Sequence, residues 1–162
     1  MRIVVSDAGP LIALARINQL RLLQELFAHV LIPPCVASEL QIAQNRPGAK
    51  ELAKAQGTAG WLKVADDLEA NTDHRLAVLD AGEAQAVALA LSHACPLLID
   101  ERRGRHVARQ WSVQVIGTGR VLIGAKEHGL IKAVGPVLQR LADSGYWLSE
   151  RLCRRILELA QE

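Results

Sequence analysis

Aromatic residues are scarce, at 3% of the 162-residue chain. The core must therefore be built from Leu, Val, Ile and Ala, and platforms on which nucleic-acid bases could stack are few. Trp61, Trp111 and Trp147 are too scattered along the chain to form one. Cysteine is also rare. Cys35, Cys95 and Cys153 are widely spaced and contain no Cys-x-x-Cys pair, which argues against a disulfide framework and a cysteine-based zinc site. Each is expected to be a small core residue. No uninterrupted apolar run reaches the roughly 18 residues of a membrane span. The amino-terminal stretch also lacks the regions of a signal peptide, so a cytoplasmic protein without membrane association is expected. A large charge of either sign is missing as well: the formal net charge of +2 is too small to imply a nucleic-acid partner by itself.

The chain does have ample apolar material. A hydrophobic content of 50% suffices for one sizeable core, and residues 1–162 read as a single domain. Short β-rich runs at 3–6, 29–32, 61–64, 97–99 and 113–116 alternate with helical patterns at 11–27, 34–44, 49–56, 81–94, 103–110, 118–128, 134–143 and 149–160. This alternation predicts an α/β fold with a mainly parallel sheet of four or five strands between two helical layers. Leu97 to Ile99 lack polar alternation, as a central strand covered on both faces should, whereas Leu62 to Val64 read as peripheral. Residues 44–60 read as the loosest surface. Leu148, Leu152, Ile156 and Leu159 define an apolar face on a helix that Ser149 can cap. The helices over 134–160 thus dock on the core or on a second subunit.

Carboxylates at strand ends carry the chemistry. MRIVVSD ends its β-branched run on Asp7, with the turn residues Gly9 and Pro10 after it, and PLLID ends on Asp100. Ligands in parallel α/β sheets bind beyond the carboxyl ends of the strands, where both acids belong. Asp100 alone could equally be a helix cap. Glu39, early in the helix after HVLI, also reads as a surface acid favoured by the helix dipole. Glu83 fits a capping box with Asp80, at the mouth of a buried Ala-rich helix.

Four acids from four segments can therefore converge on one sheet edge. Two charges about 4 Å apart at an effective dielectric near 20 repel by roughly 4 kcal/mol, so such a cluster must protonate or recruit a cation. All-oxygen donors favour Mg2+ or Mn2+. A divalent ion beside basic residues suits phosphodiester hydrolysis. Arg102 and Arg105 then become candidates to grip substrate phosphates, although the cluster Arg102, Arg103, Arg105, His106 and Arg109 also reads as a solvated helix face, as do Arg151, Arg154 and Arg155.

The stretches SDAGPLI, VASEL, GEAQAV, LLIDERRGR and IGTGRVL, in that order over residues 6–122, resemble the PIN-domain family, in the uncharacterised prokaryotic branch related to VapC toxins. That branch reads SDASPLI, VxxEL, GEAxAI, LLIDDxxGR and IGTxGxL. The resemblance implies a PIN-like three-layer fold and a ribonuclease site using magnesium or manganese at Asp7, Glu39, Glu83 and Asp100. It also implies frequent dimerisation and, for many members, a toxin role neutralised by an antitoxin chain. Glu101 stands where the branch has its second Asp, which makes it an auxiliary ligand. Glu83 stands where typical VapC proteins carry Asp. Two readings follow: a metal-dependent ribonuclease acting on RNA, including as a toxin, and a PIN-like interaction module that has lost catalysis and binds a partner protein.

Overall fold

The computed structural model describes residues 3–42, 45–58, 60–65 and 74–162. Five strands, β1 (Ile3–Ser6), β2 (His29–Ile32), β3 (Leu62–Val64), β4 (Leu97–Leu98) and β5 (Val115–Ile116), form one sheet in the order β3-β2-β1-β4-β5. Every pairing is parallel. The chain is thus α/β, as the alternation predicts, and the sheet is wholly parallel.

Nine α-helices flank it among the described residues: α1 (Ala8–Arg16), α2 (Arg21–Leu26), α3 (Pro34–Ile42), α4 (Ala49–Gln56), α5 (Ala81–Ser92), α6 (Arg102–Gln110), α7 (Thr118–Glu127), α8 (Gly135–Asp143) and α9 (Glu150–Leu159). The last two residues of the helical pattern 34–44 lie outside the described residues. The strands separate two apolar clusters because side chains alternate across a sheet. Val4 and Leu98 pack with α1, α2, α7 and α8, while Val5, Leu97 and Ile99 pack with α5 and α6. Leu97, Leu98 and Ile99 are fully buried, as expected of a central strand covered on both faces.

Several elements depart from the sequence pattern for local reasons. The helix expected over 11–27 is two helices, broken where Asn18 takes a left-handed φ of 55°. Asparagine tolerates this conformation, and the turn closes with Gln19 N–H donating to the Leu14 carbonyl at 2.8 Å, the capping pattern that ends helices. Gly9 and Pro10 lie inside the first turn of α1 and not in a preceding loop. Proline is tolerated there because the first amides of a helix have no intrahelical acceptor. The run 113–116 yields a strand only at Val115–Ile116, since Val113 N–H closes the end of α6 on the Ala108 carbonyl. Within 44–60, α4 buries Leu52 and Ala55. The three cysteines are free and half-buried, at the margins of the core rather than inside it.

The carboxy-terminal helix also differs from its apolar pattern. Leu152 is 44% and Leu159 52% exposed, and Ile156 makes the buried contact. Ile156 seats over Gly119 on α7, where a β-carbon would overlap its Cδ1. This notch rotates α9 so that Cys153, Ile156, Leu157 and Ala160 face the core cluster.

Candidate active site

Strand order places the site. From β1 the chain runs outward to β2 and β3 on one side and then returns to β4 and β5 on the other. The carboxyl ends of β1 and β4 therefore flank the switch point, where open parallel sheets bind ligands. Ser6 pairs with Leu98, and Asp7 N–H donates to the Leu98 carbonyl at 2.9 Å. Asp7 and Asp100 thus leave adjacent strands at the same edge.

Two helices bring the remaining acids. Glu39 lies on α3, which follows β2, while Asp80 and Glu83 open α5, which precedes β4. Gln85 fastens these helices together by accepting the Cys35 N–H at 3.0 Å. The α5 start is a full capping box: Glu83 N–H donates to Asp80 Oδ1 at 2.8 Å, and the Asp80 N–H donates to Glu83 Oε2 at 3.4 Å. Above this turn lies Glu39. A β-carbon at position 82 would overlap Glu39 Oε1 and lie 3.5 Å from Asp80 Oδ1, so Gly82 makes the room in which these carboxylates approach.

Electrostatics show that the acids sense one another. Burial raises the pKa of Asp7, and the charges of Asp80 and Asp100 add to this against the opposing pull of the Ala8 and Gly9 amides. Burial also raises Glu39, with Asp7 and Asp80 adding repulsion. Glu83, only 7% exposed, is pushed up to about 7 by burial and then by the Asp80 charge. Burial first and neighbouring carboxylates second both favour the neutral form, which gives all three shifts the same sign.

Neighbouring positions divide their work. Asp7 sits at the N-cap of α1 yet makes no side-chain capping bond. At the other strand end Glu101, not Asp100, caps α6, accepting the Gly104 N–H at 2.7 Å. Asp100 is instead gripped from the opposite direction. Thr118 N–H donates to Oδ1 at 2.8 Å, and the hydroxyls of Thr118 and Tyr146 both donate to Oδ2. Thr118, the first residue of α7 after the Gly117 cap, is a fully buried partner of Asp100. Burial, followed by the charge of Asp100, raises the pKa of Tyr146, so its hydroxyl stays a donor.

The two candidate arginines differ. Arg105 is half-buried, and its Nη1 donates to the Ile99 carbonyl at 2.8 Å. A β-carbon at position 117 would meet Arg105 Nη1 at 2.8 Å and Asp100 Oδ1 at 2.9 Å, so these groups flank one point. Arg102 is exposed. A cavity of about 510 Å³ lies elsewhere, at the amino edge of the sheet beside Ile3, Pro96 and Gln114. Among the described residues Glu127 is the one acid lining it, so this cavity is separate from the acidic edge.

The sequence profile of the PIN domain matches residues 3–162. The chain belongs to the PIN-domain family. A search of curated proteins found no significant match. A PIN domain has a nuclease-type fold, which suggests a hydrolase and a nucleic-acid ligand, and PIN domains typically use divalent metals. In this PIN domain, no helix among the described residues is long and apolar enough to cross a membrane.

Whether this PIN domain's residues suit such a metal turns on the donors and their spacing. Among the described residues, no three His, Cys, Asp or Glu side chains converge closely enough to hold a metal ion as they stand. The donor chemistry nevertheless fits a hard divalent cation: every acid at the edge offers oxygen. Gly82 gives Glu39 Oε1 its place beside Asp80 Oδ1, and a cation would relieve the carboxylate repulsion that adds, after burial, to the raised pKa values of Asp7, Glu39 and Glu83. Sequence reasoning missed the second role of Asp80, which the capping box already explained, and missed Tyr146 altogether.

Proposed function

We propose that this PIN domain is a divalent-metal-dependent ribonuclease that hydrolyses RNA phosphodiester bonds. The observation that carries this reading is the approach of acids from four separate segments to the switch point of a parallel sheet, with three of them held above their ordinary pKa. Asp7, Glu39, Glu83 and Asp100 would hold Mg2+ or Mn2+, with Glu101 as an auxiliary ligand. When bound, the ion would activate a water, neutralise the scissile phosphate and stabilise the leaving oxygen. Asp7 and Asp100, fixed on adjacent strand ends, set the distance across the site. The helix-borne Glu39 and Glu83 close it from the side. Arg105, already half-buried beside Asp100, and the exposed Arg102 would bind RNA phosphates. In the net reaction water adds to phosphorus, one P–O bond breaks, and the departing oxygen takes a proton. In the same reading the protein is cytoplasmic, forms a homodimer, and serves as the toxin of a toxin–antitoxin pair.

The decisive test compares wild type with Asp7→Asn on single-stranded RNA, with manganese and with a chelator. Cleavage that requires metal and disappears in the variant supports the reading; undiminished metal-dependent cleavage by Asp7→Asn removes the assigned site.

One observation favours a second reading, an inactive interaction module. Trp147 is 83% exposed, and Leu152 and Leu159 are also open on the carboxy-terminal arm, an apolar surface suited to a partner protein. Tight association with an antitoxin-like chain by a protein that binds no divalent ion would favour it.

A further inference from the structure

Asp100 is the most heavily hydrogen-bonded acid of the site. An ionised carboxylate has about four lone-pair directions, and three of Asp100's are taken by Thr118 N–H, the Thr118 hydroxyl and the Tyr146 hydroxyl. Two donors come from the first residue of α7. The third comes from a residue 46 positions beyond Asp100, on the segment between α8 and α9. No local turn requirement explains it. Tyr146 is also half-buried and packs at the margin of the larger core cluster, so its ring is held by packing and its hydroxyl is aimed.

We infer that Tyr146 is a positioning residue, whose hydroxyl acts with Thr118 to lock the Asp100 carboxylate in one rotation and leave one lone pair, on Oδ1, for a cation. This inference rests on the metal-site reading. Carboxylates that ligate metals are themselves held by hydrogen bonds from a surrounding layer, and loss of such a partner typically weakens metal affinity about 10- to 100-fold. The carboxy-terminal arm thereby contributes to a site whose acids all lie upstream of residue 102. A purely structural alternative exists, in which the hydroxyl merely pins the arm to the sheet. The arm has an independent anchor for comparison: Glu162 accepts the Val134 and Gly135 N–H groups at 2.7 and 2.9 Å and the Lys126 Nζ at 2.9 Å.

The experiment titrates metal-free full-length protein with Mn2+ by calorimetry, and records the electron paramagnetic resonance line shape of the bound ion. Wild type, Tyr146→Phe, Thr118→Ser, Thr118→Val and Glu162→Gln are compared, each with its melting temperature. Tyr146→Phe and Thr118→Val should bind Mn2+ about 10- to 100-fold more weakly with an altered line shape. Thr118→Ser, which keeps the hydroxyl, should retain wild-type affinity, and Glu162→Gln should lower the melting temperature without changing affinity. Wild-type affinity and line shape in Tyr146→Phe would overturn the positioning role while leaving the metal site intact. A tighter Tyr146→Phe would overturn it too, because the hydroxyl would then be competing for the lone pair the cation needs. Absence of Mn2+ binding by wild type would remove the metal-site reading and this inference with it.

Discussion

Glu39 Oε1 occupies the space that a β-carbon on Gly82 would fill, with Asp80 Oδ1 3.5 Å from the same point. Gly82→Ala therefore sets a flexible carboxylate against a methyl group, and Glu39 is the side that moves. Position 82 lies in the first turn of α5, where alanine is a better helix former than glycine by up to about 1 kcal/mol. Thermal unfolding should show a stability equal to or slightly above wild type. Under the proposed function Mn2+ affinity should fall at least about 10-fold, the scale on which a displaced oxygen is felt. Loss of both stability and binding would mean the backbone had shifted instead.

The clustered acids predict a stability profile opposite to the usual one. Asp7, Glu39 and Glu83 all have folded pKa values above their ordinary ones of 3.8, 4.5 and 4.5, with Glu83 at about 7. Between those limits the folded chain holds protons that the unfolded chain has released. The contribution of these groups is thus complete below the ordinary carboxylate range and is lost as pH rises through the folded values. Without metal, melting temperature should decline between pH 4.5 and 7. Manganese should recover the loss at the upper end by binding only the folded state. A metal-free profile that stays level or climbs through that window would contradict the clustering.

Asp80 separates two roles that coincide in one side chain. Asparagine caps helices about as well as aspartate, so Asp80→Asn should keep the bond from Glu83 N–H while removing the charge that repels Glu83. Carboxyl carbon NMR should find Glu83 titrating lower in this variant than in wild type, although still above 4.5 because burial is the larger cause. Asp80→Ala should lose the cap as well, at a cost of about 1 kcal/mol, read by urea unfolding. An unchanged Glu83 titration in Asp80→Asn would show that Asp80 does not act on it through charge.

The sheet and its strand-end acids were legible because their signals are local: a β-branched run that stops on Asp7, and an unalternating Leu97–Ile99 that stops on Asp100. Glu101 was legible as an acid but not as a cap, since either Asp100 or Glu101 could have preceded the helix, and only the backbone path decides. Asn18 looked like one polar residue in a helical pattern, yet its tolerance of positive φ splits the pattern in two. The face of α9 was misread because Leu152 and Leu159 fit the helical period as well as Ile156 does. The Gly119 notch that selects Ile156 lies on another helix. Tyr146 had no legible signal: its link to Asp100 spans 46 residues and belongs to no motif.

Glu162 carries the opposite pH signature from the site. Its carboxylate accepts the Val134 and Gly135 N–H groups at the start of α8 and the Lys126 ammonium, and these bonds lower its pKa from 4.5 to about 2. A group depressed on folding contributes stability that is present above its ordinary pKa and lost as pH falls through its folded one. Glu162→Gln should therefore destabilise α8 and α9 at neutral pH, and the difference from wild type should shrink as pH falls from 4.5 toward 2. Amide hydrogen exchange localises the effect, with faster exchange expected at Val134, Gly135 and along α9 and little change in β1 or β4. A difference between the two proteins that stayed constant down to pH 2 would assign the effect to side-chain packing rather than to the ionised carboxylate.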